Sequence, residues 1–115
     1  MTIEKFEDII SWQKSKSLTI RVYQIFKDSK DFSFRDQMQR ASVSIMNNIA
    51  EGFDRKGDKE FIHFLYIAKG SCSEVRSMLY LAHELKYISK EDFSELINTS
   101  LEISKLLNGL IKSIK

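Results

Sequence analysis

Proline is absent from all 115 residues, and glycine occurs only at positions 52, 57, 70 and 109. A β-rich fold needs a tight turn every several residues, and those turns draw on glycine and proline. A chain with so little turn punctuation is instead suited to a few long helices. Apolar periodicity agrees. In the first segment, from about Ile9 to Lys27, Trp12, Thr19, Val22, Tyr23 and Phe26 recur at three- and four-residue steps, with Leu18 and Ile25 widening the stripe. Asp28-Ser29-Lys30-Asp31 then reads as a loop.

Ser33, with Asp36 three residues on, resembles a capping box and marks the expected start of the second helix. Its stripe runs Phe34, Met38, Ala41, Ser42, Ile45, Asn48, Ile49, and Gly52 is placed to end it. After the short connector Phe53–Gly57, Asp58 is the expected cap of a third helix reaching about Lys86. The core stripe there is Phe61, Phe64, Leu65, Ala68, Ser71, Cys72, Val75, Leu79, Ala82 and Leu85. Ser89 opens the last helix, which carries Phe93, Leu96, Ile97, Ser100, Ile103, Ser104, Leu107, Leu110, Ile111 and Ile114. Gly109 costs that helix about 1 kcal/mol relative to Ala, so fraying is expected near its end. Helices of this length on short loops pack side by side. The expected fold class is all-α, an antiparallel up-down-up-down four-helix bundle, with residues 1–115 forming a single domain. Ala41, Ser42 and Ser44 facing Ala68, Gly70, Ser71 and Cys72 would make the second and third helices its tightest pair.

Several function classes drop out on composition. Apolar residues make up 43% and charged residues 30%, which is globular rather than disordered. No apolar run approaches the roughly 20 residues of a membrane span. The opening Met1-Thr2-Ile3-Glu4-Lys5-Phe6-Glu7-Asp8 is too acidic and polar for a secretory leader. The single Cys72 cannot form an internal disulfide, so a reducing, cytoplasmic setting is expected. A net charge of +2 leaves any nucleic-acid role to the placement of charge rather than its total. No phosphate loop, zinc spacing or nucleophile triad occurs. Glu60-Phe61-Ile62-His63 puts a carboxylate and an imidazole one turn apart, as in di-iron bundles. Such sites need a second Glu-x-x-His pair, and the other histidine, His83, has Tyr80 at that position. No catalytic residue, metal ligand or cofactor is therefore assigned, and Cys72 reads as a small core residue.

Three ordered stretches carry a family resemblance. They are Phe6-Glu7-Asp8 with Trp12-Gln13-Lys14; Gln37 to Ile45 with Asn48-Ile49-Ala50-Glu51-Gly52; and Lys59 to Ser71 continuing to Glu74. Together they resemble the four-helix-bundle proteins encoded in intervening sequences of bacterial 23S ribosomal RNA genes. The resemblance spans roughly Ile3 to Ile88, and the last helix matches only as a generic amphipathic helix. It implies a ring-like homo-oligomer, a pentamer. It also implies kinship with accessory proteins of diversity-generating retroelements, which bind nucleic acid and a reverse transcriptase. The sequence departs from the family at Met46, where proline is usual and would kink the second helix, and it lacks the usual proline in the first loop.

Three sets of residues follow as candidates. From Phe61 to Ile67 only His63 is neither apolar nor aromatic, more greasy surface than one core can use. A second stripe, Lys59, Ile62, Tyr66, Lys69, Ser73, Arg76, Tyr80 and His83, reads as a subunit interface through Ile62, Tyr66, Lys69, Ser73 and Tyr80. Its alternatives are an aromatic-and-basic nucleic-acid face or a plain solvated one. Arg40, Arg55, Lys56, Lys59, Lys69 and Arg76 form a candidate phosphate-binding set if the connector folds beside the third helix, although Asp54 and Asp58 cancel much of that charge. Asn48, Glu51, Gly52 and Glu74 read as a polar motif that fixes helix register. Two functions are left to weigh. One is a non-enzymatic oligomeric adaptor that binds RNA or DNA, with a reverse transcriptase as a possible partner. The other is a structural or protein-interaction oligomer with no nucleic-acid role.

Overall fold

The computed structural model describes residues 3–115; Met1 and Thr2, which open the stretch read as too acidic for a leader, lie outside the described residues. A 3-10 turn at Phe6–Asp8 leads into four helices: α1 (Ile10–Phe26), α2 (Phe32–Asp54), α3 (Asp58–Glu84) and α4 (Lys90–Ile114). No strand occurs among the described residues. The 42 Å long axis matches α3, whose 27 residues span about 40 Å at 1.5 Å per residue.

Each helix packs against two others, α1 and α3 both against α2 and α4, which leaves α1 and α3 across the diagonal. Neighbours are antiparallel. Lys14 meets Glu102 at 3.4 Å, whereas Arg21, two turns on, meets Glu95 at 2.9 Å. On the α2–α3 side Ser44 meets Ser71 and Gln37 meets Glu74, stepping in opposite directions along the two helices. The expected all-α, up-down-up-down bundle is the fold observed.

The interior is built from Leu18, Val22 and Phe26 of α1, Met38, Ile45 and Ile49 of α2, Leu65, Val75 and Leu79 of α3, and Leu96, Ile103 and Leu107 of α4. Two residues assigned to core stripes lie outside: Tyr23 is 44% and Leu85 47% exposed. The buried side of α1 also carries the hydroxyl residues Ser11, Ser15 and Thr19. Ser15 donates to the Ser11 carbonyl at 2.6 Å, and Thr19 donates to Ser15 O at 2.8 Å and across to Ser42 O at 3.1 Å. The Ser15 and Thr19 hydroxyls each meet a carbonyl, which makes their burial tolerable, whereas the buried Ser11 Oγ has no partner among the described residues.

Helix ends depart from the local signals in three places. The cap of α2 is Asp31, whose Oδ1 accepts from Phe34 N at 3.1 Å; Ser33 is already within the first turn, and Asp36 pairs with Arg35 instead. The earlier start seats Phe34 between Phe26 and Tyr87, with ring centroids 5.7 and 5.4 Å away. Gly52 does not end α2, which continues to Asp54. Lys56 takes the left-handed turn, at φ 61°, and Asp58 is the first residue of α3 rather than its cap. Lys86 does the same after α3, at φ 60°, with Tyr87 N bonded to Ala82 O at 2.8 Å and Lys86 N to His83 O at 3.1 Å in a Schellman motif. Ser89 caps α4 as expected, accepting from Asp92 N at 3.1 Å, and that helix is continuous through Gly109 to Ile114. α2 is likewise continuous through Met46.

The seam of small residues is redistributed. Ser42 turns toward Thr19 of α1, Cys72 donates to Ser100 O of α4 at 3.2 Å, and Gly70 faces solvent. The close approach of α2 to α3 occurs instead at Gly52. A Cβ there would lie 2.5 Å from Phe64 Cβ and 3.2 Å from Phe61 Cδ1.

Candidate interaction surfaces

The outward side of α3 carries the largest departure from ordinary surface chemistry. Tyr66, Ile67, Tyr80, Leu81 and Leu85 are all exposed along it, separated by exposed Gly70, Ser73, Glu74 and Ser77. Large apolar side chains at both ends of a small-residue centre let another helix approach closely in the middle and be gripped at the ends. Of the five residues assigned to an interface, Tyr66, Ser73 and Tyr80 are exposed here. Lys69 is half-buried, with its Nζ 5.4 Å from the Tyr66 ring centroid. Ile62 turns inward and packs against the core. Ile67 and Leu81 belong to the face and were missed. The greasy Phe61–Ile67 run was the available signal, but a stripe read at heptad spacing from Ile62 passes them by.

Beside this face, Tyr80 and His83 bracket Phe93 of α4. Tyr80 meets it edge-on at 5.4 Å, and His83 stacks on it at 4.3 Å with 25° between planes. Helical spacing places Lys69 and Arg76 on the same α4-facing flank. At the far end Lys115 donates to the Tyr66 hydroxyl at 3.1 Å.

The six candidate phosphate-binding cations are not gathered into one patch. Arg55, Lys56 and Lys59 sit at the α2–α3 corner, and the connector does fold beside α3, with the Arg55 guanidinium 5.2 Å from the Phe64 ring. Arg55 is held by carboxylates, 2.7 Å from Glu51 and 3.9 Å from Glu60, and its hydrogen bond to Glu51 raises its pKa. Lys56 and Lys59 have no carboxylate within 4.0 Å among the described residues. Lys59 shares a shallow depression with Arg55, Glu60, His63 and Phe64, while Lys56 borders a cleft of about 410 Å³ with Glu4, Asp58 and Phe61. Arg40 lies on α2, bonded at 2.9 Å to Gln37, which itself bonds Glu74 of α3. Lys69 and Arg76 lie on the opposite flank of α3. Glu60 and His63 are both exposed, and no group of three His, Cys, Asp or Glu side chains close enough to hold a metal occurs among the described residues.

The four residues of the polar motif all lie on α2 or α3, each with its own partner. Asn48 is half-buried and donates to the carbonyl and hydroxyl of Ser44 at 2.8 and 3.0 Å; the Ser44 hydroxyl meets that of Ser71 at 2.8 Å. The amide therefore stays on its own helix and reaches α3 only through Ser44. Glu51 holds Arg55, Gly52 makes the close approach, and Glu74 accepts from Gln37 at 2.5 Å.

Fold and surface together define a class: an antiparallel four-helix bundle with a polar-stitched α2–α3 seam and an apolar outer face on α3. No helix among the described residues is long and apolar enough to cross a membrane. Residues 7–109 match the 23S rRNA-intervening sequence protein family, and the chain belongs to it. A crystal structure of a protein of unknown function from the S23 ribosomal protein family of Bacteroides thetaiotaomicron is similar over 90% of this chain and 99% of its own. Its TM-score is 0.83 at 31% identity. No curated protein matches.

Proposed function

We propose that this protein is a non-enzymatic, self-associating scaffold whose copies meet through the outer face of α3. The observation that carries this reading is the exposure of Tyr66, Ile67, Tyr80, Leu81 and Leu85 on one side of one helix. Leaving that much apolar surface in water costs about 25 cal/mol per Å², and a second copy removes it. Five copies in a ring is the number that family kinship suggests. Light scattering behind size exclusion at micromolar concentration should give a multiple of 13.5 kDa. Ile67→Glu with Leu81→Glu should return the monomer with helicity intact. A wild-type protein that elutes only as the monomer refutes the reading.

A second reading, that the assembled scaffold also holds RNA or DNA, has its own support at the α2–α3 corner, where Lys56 and Lys59 have no carboxylate partner among the described residues and Lys59 lies beside exposed His63 and half-buried Phe64. Glu51, Asp54, Asp58 and Glu60 crowd the same corner, so any such binding should be weak and salt-sensitive. Anisotropy of labelled structured RNA and duplex DNA should fall steeply between about 50 and 200 mM salt, and replacement of Arg55, Lys56 and Lys59 by Ala should abolish it. Binding unchanged in that folded triple variant excludes this corner. A reverse transcriptase is the protein partner that family kinship suggests for such a scaffold.

A further inference from the structure

Cations collect along the seam between α3 and α4, and no carboxylate joins them there. Lys69 and Arg76 of α3 are half-buried on this flank, and Lys115, just past the end of α4, reaches it from the far end. None of the three has a carboxylate within 4.0 Å among the described residues. Two of the ammonium groups converge on one ring: Lys69 Nζ lies 5.4 Å and Lys115 Nζ 5.6 Å from the Tyr66 centroid. The carboxylates along the middle of the two helices are drawn elsewhere. Glu74 accepts from Gln37 of α2, Glu95 accepts from Arg21 of α1, and Glu102 pairs with Lys14 of α1. The others, Asp58, Glu60, Glu84, Glu91 and Asp92, sit in the end turns of α3 and α4. Partly desolvated cations without a counter-ion favour an anion from outside the chain.

The spacing along this seam is that of helix on helix. On α3, Ile62, Tyr66, Lys69, Ser73, Arg76, Tyr80 and His83 step alternately by four and three residues. Ile97, Leu101, Ser104, Asn108 and Lys115 keep the same heptad along α4. Phe93 against Tyr80 and His83, and Lys115 against Tyr66, fix this side of α4 to α3. Alternating steps of this kind keep one line of a helix turned toward a neighbour for several turns. Tyr66, Tyr80 and Leu101 nevertheless stay exposed, at 46%, 55% and 47%, and Ser73 between the two tyrosines leaves room for close approach. Lys69 and Arg76 are one heptad apart, about 10.5 Å along the axis, which is the repeat of carboxylates one heptad apart on a facing helix. A nucleic-acid strand carries its charges far more densely.

We infer that the α3–α4 seam receives an acidic amphipathic helix of a partner protein. Its apolar stripe lies on Tyr66, Leu101 and Tyr80, and the carboxylates flanking that stripe pair with Lys69, Arg76 and Lys115. Charge complementarity selects the acidic flanks, and the heptad spacing selects a helix. The inference does not depend on self-association. Helical spacing turns Lys69 and Arg76 toward α4 and Ile67 and Leu81 away from it, with Tyr66 and Tyr80 on the border between the two surfaces.

The test is fluorescence anisotropy of a labelled peptide of three Glu-Ile-Ala-Ala-Leu-Glu-Lys heptads, titrated with the full chain. Three heptads span about 32 Å, the length of the seam from Ile62 to His83. The control is the same peptide with Gln in place of every Glu. Saturable binding of the acidic peptide is expected, with the Gln peptide at least several-fold weaker. Arg76→Glu and Leu101→Glu should each weaken the acidic peptide several-fold. Lys115→Glu supplies an exposed weakening variant should the half-buried arginine site disturb folding. Ile67→Glu with Leu81→Glu, which should break self-association, should leave the peptide affinity unchanged, so the two proposals fail separately. No saturable binding, equal affinity for the Gln peptide, or binding unchanged in both Arg76→Glu and Lys115→Glu would each overturn the assignment. A single-stranded uridine oligonucleotide that binds more tightly than the acidic peptide, and is lost in Arg76→Glu, would give the seam to nucleic acid instead.

Discussion

Substituting Gly52 with alanine tests the close approach of α2 to α3. In an unconstrained helix interior this change stabilises by about 1 kcal/mol, because alanine loses less backbone entropy. At Gly52 the new methyl would lie 2.5 Å from Phe64 Cβ, 3.2 Å from Phe61 Cδ1 and 3.3 Å from Phe64 Cγ. The nearest atom is the root of a side chain rather than its flexible end, so relief requires α2 and α3 to move apart along the Ser44–Ser71 seam. Overpacking of this kind costs about 1–3 kcal/mol, beyond the propensity gain. We expect a net loss of about 1–2 kcal/mol by these two figures. Gly109→Ala meets nothing within 4 Å and should gain up to about 1 kcal/mol. The assay is urea unfolding at fixed protein concentration, reading the midpoint at constant slope. Because the closest atom is Cβ itself, Phe64→Ala should restore only part of the loss. A Gly52→Ala protein as stable as the wild type, or a full rescue by Phe64→Ala, would refute the reasoning.

Three further outcomes are expected. Burial pushes the Cys72 thiol up to about 11, against a smaller opposing pull from Arg76, so the folded protein should resist thiol reagents near neutral pH and react fully in denaturant. Above the usual thiol value of 9.0 the unfolded chain gives up this proton and the folded one keeps it. The unfolded state then binds fewer protons, so this group makes stability fall as pH rises from 9.0 toward about 11, visible as a loss relative to Cys72→Ala. Asp31 caps α2 through Oδ1 and receives the Tyr87 hydroxyl at 2.8 Å through Oδ2, a bond that raises the tyrosine pKa. Asp31→Ala should cost about 1–2 kcal/mol in a denaturant melt, whereas Tyr87→Phe leaves the cap intact and should cost clearly less. Arg21 bridges Glu95 and Asp92 on α4, and its hydrogen bond holds the Glu95 carboxyl below its usual value. That contribution is present above the ordinary carboxylate pKa and lost as pH falls through the lowered one. The pair is exposed, so Arg21→Ala should cost under about 1 kcal/mol, and less in high salt.

Much of the fold was legible because helical periodicity is a local property. The stripes Met38–Ala41–Ile45–Ile49 and Leu65–Ala68–Cys72–Val75–Leu79 were visible at three- and four-residue steps, and each is buried as read. The absence of proline excluded the strand-rich alternatives, and three ordered motifs pointed to the family that residues 7–109 match. Ser89 was a readable cap because nothing tertiary competes with it there.

What the sequence could not decide were the points where one helix meets another. Gly52 looks locally like a terminator, yet Phe61 and Phe64 pack against it, and the left-handed turn passes to Lys56, a residue with no local preference for it. Asp31 displaces Ser33 as the cap because Phe34 must reach Phe26 and Tyr87. The candidate cations look like one set along the chain, but α3 carries Lys69 and Arg76 on the flank opposite Arg40, and Glu51 occupies Arg55. Likewise Ser11 is an ordinary serine until the 3-10 turn gives the Glu7 carbonyl to the Gln13 side chain and folding buries the Ser11 hydroxyl with no partner among the described residues. Periodicity determines which side of a helix is apolar. The facing side chains, which depend on how two helices are offset and rotated against each other, determine what each residue touches.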